Sequence, residues 1–204
     1  MGKEPFMGGV DAPRAILKLA HEKGAVLFGE FTLASGKRSD HYWDGKKVTL
    51  DARGAFLVGT AILEIISSVE AEAVGGLEMG AIPIATSVAL LSSQGDRPIP
   101  AFIVRKEAKR HGTRSEIEGC DPSGKRVVIV DDVITSGESV LKAIRAVEAR
   151  HCKVVKVVAL VDRHEGGSDS VRQEGYSFQS ILDFRKVGDK TELGVSPADH
   201  PGPK

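Results

Sequence analysis

Net charge is what this chain most plainly lacks. Its 28 lysines and arginines balance 28 aspartates and glutamates over 204 residues. No global field therefore draws it to nucleic acid, to an anionic membrane or to an acidic partner, and any anion site has to be built locally. Cysteine is nearly as scarce: Cys120 and Cys152 give no disulfide framework, and a reducing, cytoplasmic home is the simplest expectation. No apolar signal core follows Met1, and no run is long enough to span a bilayer. Gly2 is followed by Lys-Glu-Pro-Phe, without the hydroxyl residue that a myristoylation signal wants. Internal repeats and low-complexity tracts are absent too. What is left is a length that fits a single domain over residues 1–204, with a frayed tail from Pro197 on, where three prolines fall.

One stretch organises the rest. Val127 to Val130 is β-branched and apolar and reads as a short buried strand, ending where Asp131 and Asp132 begin. After Val133 and Ile134, the run Thr135-Ser136-Gly137-Glu138-Ser139 forms a small-residue loop into a helix with Val140, Leu141, Ile144 and Val147 on one face. A helix N-terminus behind a Gly/Ser/Thr loop is an anion site. Carboxylates one step upstream repel that same anion and suit sugar hydroxyls or a metal. A ribose 5-phosphate satisfies both halves, although paired aspartates at a strand end also occur in receiver domains.

Around this stretch the chain alternates. Asp11 and Pro13 start a helix with Ile16, Leu17 and Ala20 as its apolar stripe, and Gly24 ends it. Residues 28–44 read as two short strands around a Gly-Lys-Arg turn, carrying Tyr42 and Trp43. A helix over 52–68, a strand over 71–74 and a loop from Gly75 to Gly80 lead into a helix from about Pro83. The strand 99–104 runs into Arg105-Lys106-Glu107-Ala108-Lys109-Arg110-His111-Gly112-Thr113-Arg114, where five Lys/Arg and one histidine face a single acid. Such a run is ordinarily a solvated surface, and it lacks the interleaved aromatics of a single-strand binder. Gly119 to Lys125 has the glycine spacing of a P-loop, but Arg126 replaces its Ser/Thr and the segment precedes a strand, so it is a turn. A strand over 154–161 ends in Asp162-Arg163. An arginine there faces the ligand crevice and suits a carboxylate or imide edge, or else pairs with Asp162 or Glu165. Gly166-Gly167, a short helix and a strand over 177–182 follow. This order gives an α/β fold: a parallel sheet with helices on both faces over residues 52–163, and a small hood from about 10–50 and 165–190.

The Asp-Asp stretch resembles the 5-phosphoribosyl 1-diphosphate (PRPP) signature of type I phosphoribosyltransferases. Phe31-Thr32-Leu33-Ala34-Ser35-Gly36-Lys37-Arg38-Ser39 followed by Tyr42-Trp43 resembles the start of orotate phosphoribosyltransferases, and Arg105, Lys106, Lys109 and His111 match that family's basic loop. The resemblance spans roughly residues 28–183. It implies a type I phosphoribosyltransferase-like fold and the reaction of orotate with PRPP to give orotidine 5′-monophosphate and pyrophosphate in pyrimidine biosynthesis. Mg²⁺ would be held mainly by PRPP oxygens and water, so no protein metal ligand is expected. Asp131, Asp132 and residues 133–139 would hold the ribose phosphate. Arg105, Lys106, Lys109 and His111 would take the diphosphate. Thr135, Arg163, Tyr42 and Trp43 would take orotate. Ala34 and Gly80 depart from relatives that carry a lysine at those positions. The resemblance further implies a homodimer with the basic loop, Lys106 in it, reaching into the neighbour's site, in a cytoplasmic enzyme. A purine phosphoribosyltransferase and a PRPP-sensing nucleic-acid-binding regulator of the same fold remain the alternatives.

Overall fold

The structure, a computed structural model, describes residues 10–32, 38–107 and 116–197. Seven strands form one sheet: β3 (Ala73–Leu77), β4 (Ala101–Val104), β5 (Ile117–Gly119), β6 (Arg126–Ile134), β7 (Lys153–Asp162), β8 (Phe178–Val187) and β9 (Lys190–Val195), in the order β5-β4-β3-β6-β7-β8-β9. The five inner strands run parallel, and the edge strands β5 and β9 are antiparallel to their neighbours.

Alternation along these strands explains the layers. Val128 and Val130 of β6 join Val158 and Leu160 of β7 on one face, with α1 (Ala12–Glu22), the short α2 (Lys46–Thr49), α3 (Ala52–Ile65) and α4 (Ala81–Ser92) packed on it. Val127, Ile129, Val157 and Ala159 point the other way, under α5 (Glu138–Glu148) and α6 (Gly167–Gln173). A strand buried on both faces is a continuous apolar run, which is why Val127 to Val130 is legible as one. The caps follow expectation as well. Asp11 accepts the Arg14 N–H at the start of α1, and Asp51 accepts those of Arg53 and Gly54 at the start of α3.

Two expected boundaries move. Strand β6 does not stop at Val130; it carries both aspartates and ends at Ile134. The reason is pairing: β3 leaves β6 after Ile129, whereas β7 stays alongside as far as Ile134–Asp162. The acid pair therefore lies on a strand with one open edge. Likewise Gly75 and Gly76 are buried strand residues of β3, and only Glu78-Met79-Gly80 links it to α4. A Cβ on Gly75 would stand 2.2 Å from the Phe102 carbonyl oxygen and one on Gly76 2.1 Å from that of Val130, so here glycine answers crowding rather than bending.

A separate antiparallel hairpin, β1 (Val26–Thr32) with β2 (Arg38–Trp43), lies beside the sheet. The expected C-terminal half of the hood is part of the sheet itself: β8 pairs parallel with β7 through Asp183. Its outer half, paired with β9, reaches the hairpin. There Phe184 stacks on His41 at 4.0 Å and meets Phe28 edge-on at 6.5 Å, and Asp40 accepts from Lys186 and Thr191.

Candidate active site

At the carboxyl edge of the sheet a cavity of about 480 Å³ is lined by Asp131, Asp132, Val133, Thr135 and Ser139 from the β6–α5 junction. Leu77, Glu78, Met79 and Gly80 close a second side, and Tyr42 to Lys46 a third; Lys106 also lines the cavity. Three distant segments thus converge on the acid pair.

The two acids differ. Asp131 is 7% exposed and accepts the backbone N–H of Asp132 at 2.9 Å. Burial, and then the neighbouring Asp132 charge, push its carboxyl well above the ordinary range. Asp132 is less buried and reaches toward the turn into α4: a Cβ on Gly80 would lie 2.3 Å from its Oδ1 and 2.8 Å from Asp131 Oδ1. A side chain at position 80 would have to displace these carboxylates from this arrangement. Lys46 lines the same cavity and supplies a cation to it.

Beyond the acids, Gly137 sits at φ 81° and caps α5 without any side-chain hydrogen bond, so the first-turn N–H groups stay available. Residues 133–140 and Asp131 wrap a small recess at this point. Gly167 packs underneath, its N–H donating to the Thr135 carbonyl at 2.8 Å, and a Cβ on it would come within 2.5 Å of Gly137 N. Ile134 is buried at 1% exposure, so only its backbone is open to a ligand.

Of the basic run, Lys106 lines the cavity of its own chain. Its N–H donates to Glu78 at 2.9 Å, and its carbonyl accepts from Lys142 Nζ. Arg105 turns away, its Nη1 donating to Glu118 at 3.2 Å and its N–H to the Glu116 carbonyl, so it does not line the cavity. Lys109 and His111 lie outside the described residues, as do Ala34 and the tail beyond Pro197.

The expected orotate set divides. Tyr42 is 43% exposed, leaning on Phe31 at 5.9 Å, and offers a ring face. Trp43, next along the strand, points the opposite way and is 7% exposed, so it offers no free ring face. Arg163 is held at the end of β7, its N–H on the Ile134 carbonyl and its Nη2 donating to Ser39 at 3.1 Å. Its Nε lies 2.9 Å from Glu165 Oε1 without hydrogen-bond alignment. The ion pair with Glu165 weighed from sequence is therefore present, and Arg163 is not in the wall of the acid-pair cavity.

Sequence reasoning missed Asp44 and Gly45 as wall residues, although the Asp-Gly dipeptide after the aromatic pair is a readable turn signal. Glu78 falls in the Gly75–Gly80 loop, which the sequence marks as a glycine-rich loop before a helix start, and the structure places it in the wall. No three acid, histidine or cysteine side chains converge as a metal nest among the described residues. The donor set is two carboxylates beside an anion loop, which fits a magnesium ion carried in on diphosphate oxygens. No helix among the described residues is long and apolar enough to cross a membrane.

The phosphoribosyl transferase domain family matches residues 49–189. The orotate phosphoribosyltransferase of Rhodopirellula baltica is 43% identical over 173 residues, covering 82% of this chain and 90% of that one. Among solved structures, Mycobacterium tuberculosis H37Rv orotate phosphoribosyltransferase in complex with inorganic phosphate aligns with a TM-score of 0.74 at 34% identity, covering 85% of this chain and 96% of the other. Its complex with PRPP aligns at 0.72 and 32% identity, covering 84% and 96%. By its fold, its cavity and these relatives, the chain belongs to the phosphoribosyltransferase family, among the orotate phosphoribosyltransferases.

Proposed function

We propose that this chain transfers the phosphoribosyl group of PRPP to orotate, giving orotidine 5′-monophosphate and pyrophosphate. The observation that carries the reading is the acid pair in the wall of a cavity whose next turn is the uncapped start of α5. As the bond from ribose C1 to the diphosphate oxygen breaks, positive charge develops on the ring and negative charge on the leaving group. Asp131 and Asp132 hold the ribose 2′ and 3′ hydroxyls and favour the cationic ring. Thr135 to Ser139 hold the 5′-phosphate. Lys106, with Arg105, Lys109 and His111 brought in by closure of the loop, neutralises the diphosphate and excludes water that would hydrolyse PRPP. Bound magnesium supplies further charge neutralisation on the diphosphate. Tyr42, Thr135 and Arg163 receive orotate, whose N1 bonds to C1 as the C1–diphosphate bond breaks, the N1 proton passing to the departing diphosphate. The hairpin and the outer end of β8–β9 form the hood of a single domain.

Mixing orotate, PRPP and Mg²⁺ and following ultraviolet absorbance tests this directly. Loss of the orotate band with release of pyrophosphate is the expected result; no change, or turnover of a purine base instead, overturns it. RNA retention on a filter would favour the regulator, which zero net charge disfavours.

The assembly we propose is a homodimer in the cytoplasm, with the basic loop shared between sites. Lys106 sits in its own chain's cavity, so sharing falls to residues beyond 107. Inactive Lys109→Ala and inactive Asp131→Asn/Asp132→Asn chains, reassorted at random, place about half of the dimers in mixed form with one intact site, restoring about a quarter of wild-type activity. Mixed dimers without recovered activity would show the loop serving its own subunit.

A further inference from the structure

Trp43 is the only tryptophan in the chain, and its indole is nine-tenths buried. A buried indole N–H ordinarily finds an acceptor, because a bare donor inside a protein is costly. Trp43 Nε1 has none among the described residues. Its neighbour across a small gap is Asp132: a Cβ placed on Gly45 would lie 3.0 Å from Trp43 Nε1, 3.0 Å from Asp132 Oδ2 and 3.3 Å from Asp132 Cβ. A donor with nothing to give to and an acceptor oxygen flank the same space, which is open only because residue 45 has no side chain. The backbone does not demand that glycine, since Gly45 is at φ −58° and ψ −27°, ordinary helical values. The gap does.

We infer that Trp43 is a positioning residue for Asp132: when Mg²⁺ and PRPP fill the cavity, the indole N–H donates to Asp132 Oδ2 and fixes that carboxylate for a ribose hydroxyl. The inference rests on the reading of the acid pair given above. The carboxylate torsion is broad, so Asp132 can rotate Oδ2 toward the indole. Asp131 already takes the backbone N–H of Asp132, and the indole gives Asp132 a fixed donor of its own. A neutral donor orients the carboxylate without cancelling its charge. A lysine or arginine in that place would cancel the charge that the cationic ribose ring needs.

With one tryptophan, the Nε1–H signal in a ¹H–¹⁵N spectrum needs no assignment. Adding PRPP with Mg²⁺ to the wild-type enzyme is expected to move it downfield and slow its exchange with water. A signal unmoved at saturating PRPP overturns the inference, and this holds whether or not orotate is turned over. Trp43→Phe keeps an aromatic ring and removes the N–H, and the KM for PRPP should rise about tenfold, equal to ~1.4 kcal/mol, with the KM for orotate little changed. Gly45→Ala fills the gap and leaves the ring in place. It should give a similar loss alone and almost none in the Trp43→Phe background, and it keeps the question open to test should Trp43→Phe fail to fold. Fully additive losses would mean the methyl obstructs the ligand itself, and would overturn the inference. An active enzyme whose Trp43→Phe variant binds PRPP as before overturns it too, while leaving the transferase reading in place.

Discussion

Asp40 and Asp131 carry the same side chain and are handled in opposite ways. Asp40, near the start of β2, accepts from Thr191 Oγ1 at 2.6 Å and Lys186 Nζ at 2.8 Å, and its other oxygen lies 2.7 Å from His41 Nδ1. Lys186, then Thr191 and His41, hold it far below the ordinary carboxylate range. Asp131 is enclosed, has one backbone N–H, and is pushed upward by burial and by Asp132. Each donor to Asp40 is a fixed protein group, so that carboxylate is committed to holding the hairpin against β8–β9. The donors missing at Asp131 are left for a ligand to bring. A carboxylate whose surroundings oppose its charge in the free protein marks the reacting end of this molecule, and one saturated with partners marks an anchor.

The largest effect should come from breaking the reactive half. Asp131→Asn with Asp132→Asn is expected to lower kcat by roughly 10²–10³-fold or more, since the stabilising charge is lost where the ring becomes cationic. Folding should not suffer. Because the folded-state pKa of Asp131 is raised, its charge opposes folding: the contribution is fully favourable below the unfolded value of about 3.9 and is lost as pH rises through the folded value. Asp131→Asn alone should therefore match wild type in urea melts near pH 4 and exceed it increasingly toward pH 8. A double variant that folds and works at near wild-type rate would remove the ribose assignment. A stability difference that shrinks with rising pH would remove the electrostatic contrast with Asp40.

Arg163 sits between the two regimes, tied to Ser39 and Glu165 yet placed at a strand's carboxyl end. Lysine keeps the charge but not the planar fork, so Arg163→Lys should weaken orotate binding by about tenfold, the loss of one charged hydrogen bond, and leave PRPP binding nearly unchanged. Titration of each ligand separately by calorimetry decides it. Equal losses would class Arg163 with Asp40, as a tie between hairpin and sheet.

Only the reactive half of this contrast is legible in the sequence. The acid pair, the Thr135–Ser139 turn and the two-faced strand at Val127 were readable because each is local, with period, turn residue and charge all within a dozen positions. Two carboxylates look like the end of the strand at Val130; only the pairing with β7 shows that it continues. Gly75 and Gly76 look like a loop in sequence, since nothing local reports that Phe102 and Val130 leave no space for a Cβ. The Asp40 anchor was out of reach for the same reason: its partners lie 146 and 151 positions away. Packing across the sheet is set by the whole fold, and composition carries no trace of it.

The smallest effect tests the anchor. Asp40 is about half exposed in its pair with Lys186, so solvent and salt screen much of what its partners contribute. Asp40→Asn retains an oxygen for Thr191 and loses the charge facing Lys186, and should cost roughly 0.5 kcal/mol at neutral pH and low ionic strength. The sign with pH is the reverse of that at Asp131. With its folded-state pKa depressed, Asp40 adds stability above the unfolded value of about 3.9 and loses it as pH falls below that toward the folded value. Wild type and Asp40→Asn should therefore differ at pH 7 in dilute buffer, and converge both at strongly acid pH and in 1 M salt. Orotate turnover in the variant should stay close to wild type, because none of the atoms that hold Asp40 lines the acid-pair cavity. A large loss of turnover with unchanged stability would mean that the hairpin's outer attachment sets the position of Tyr42 and Trp43, and that anchor and site are one unit rather than two.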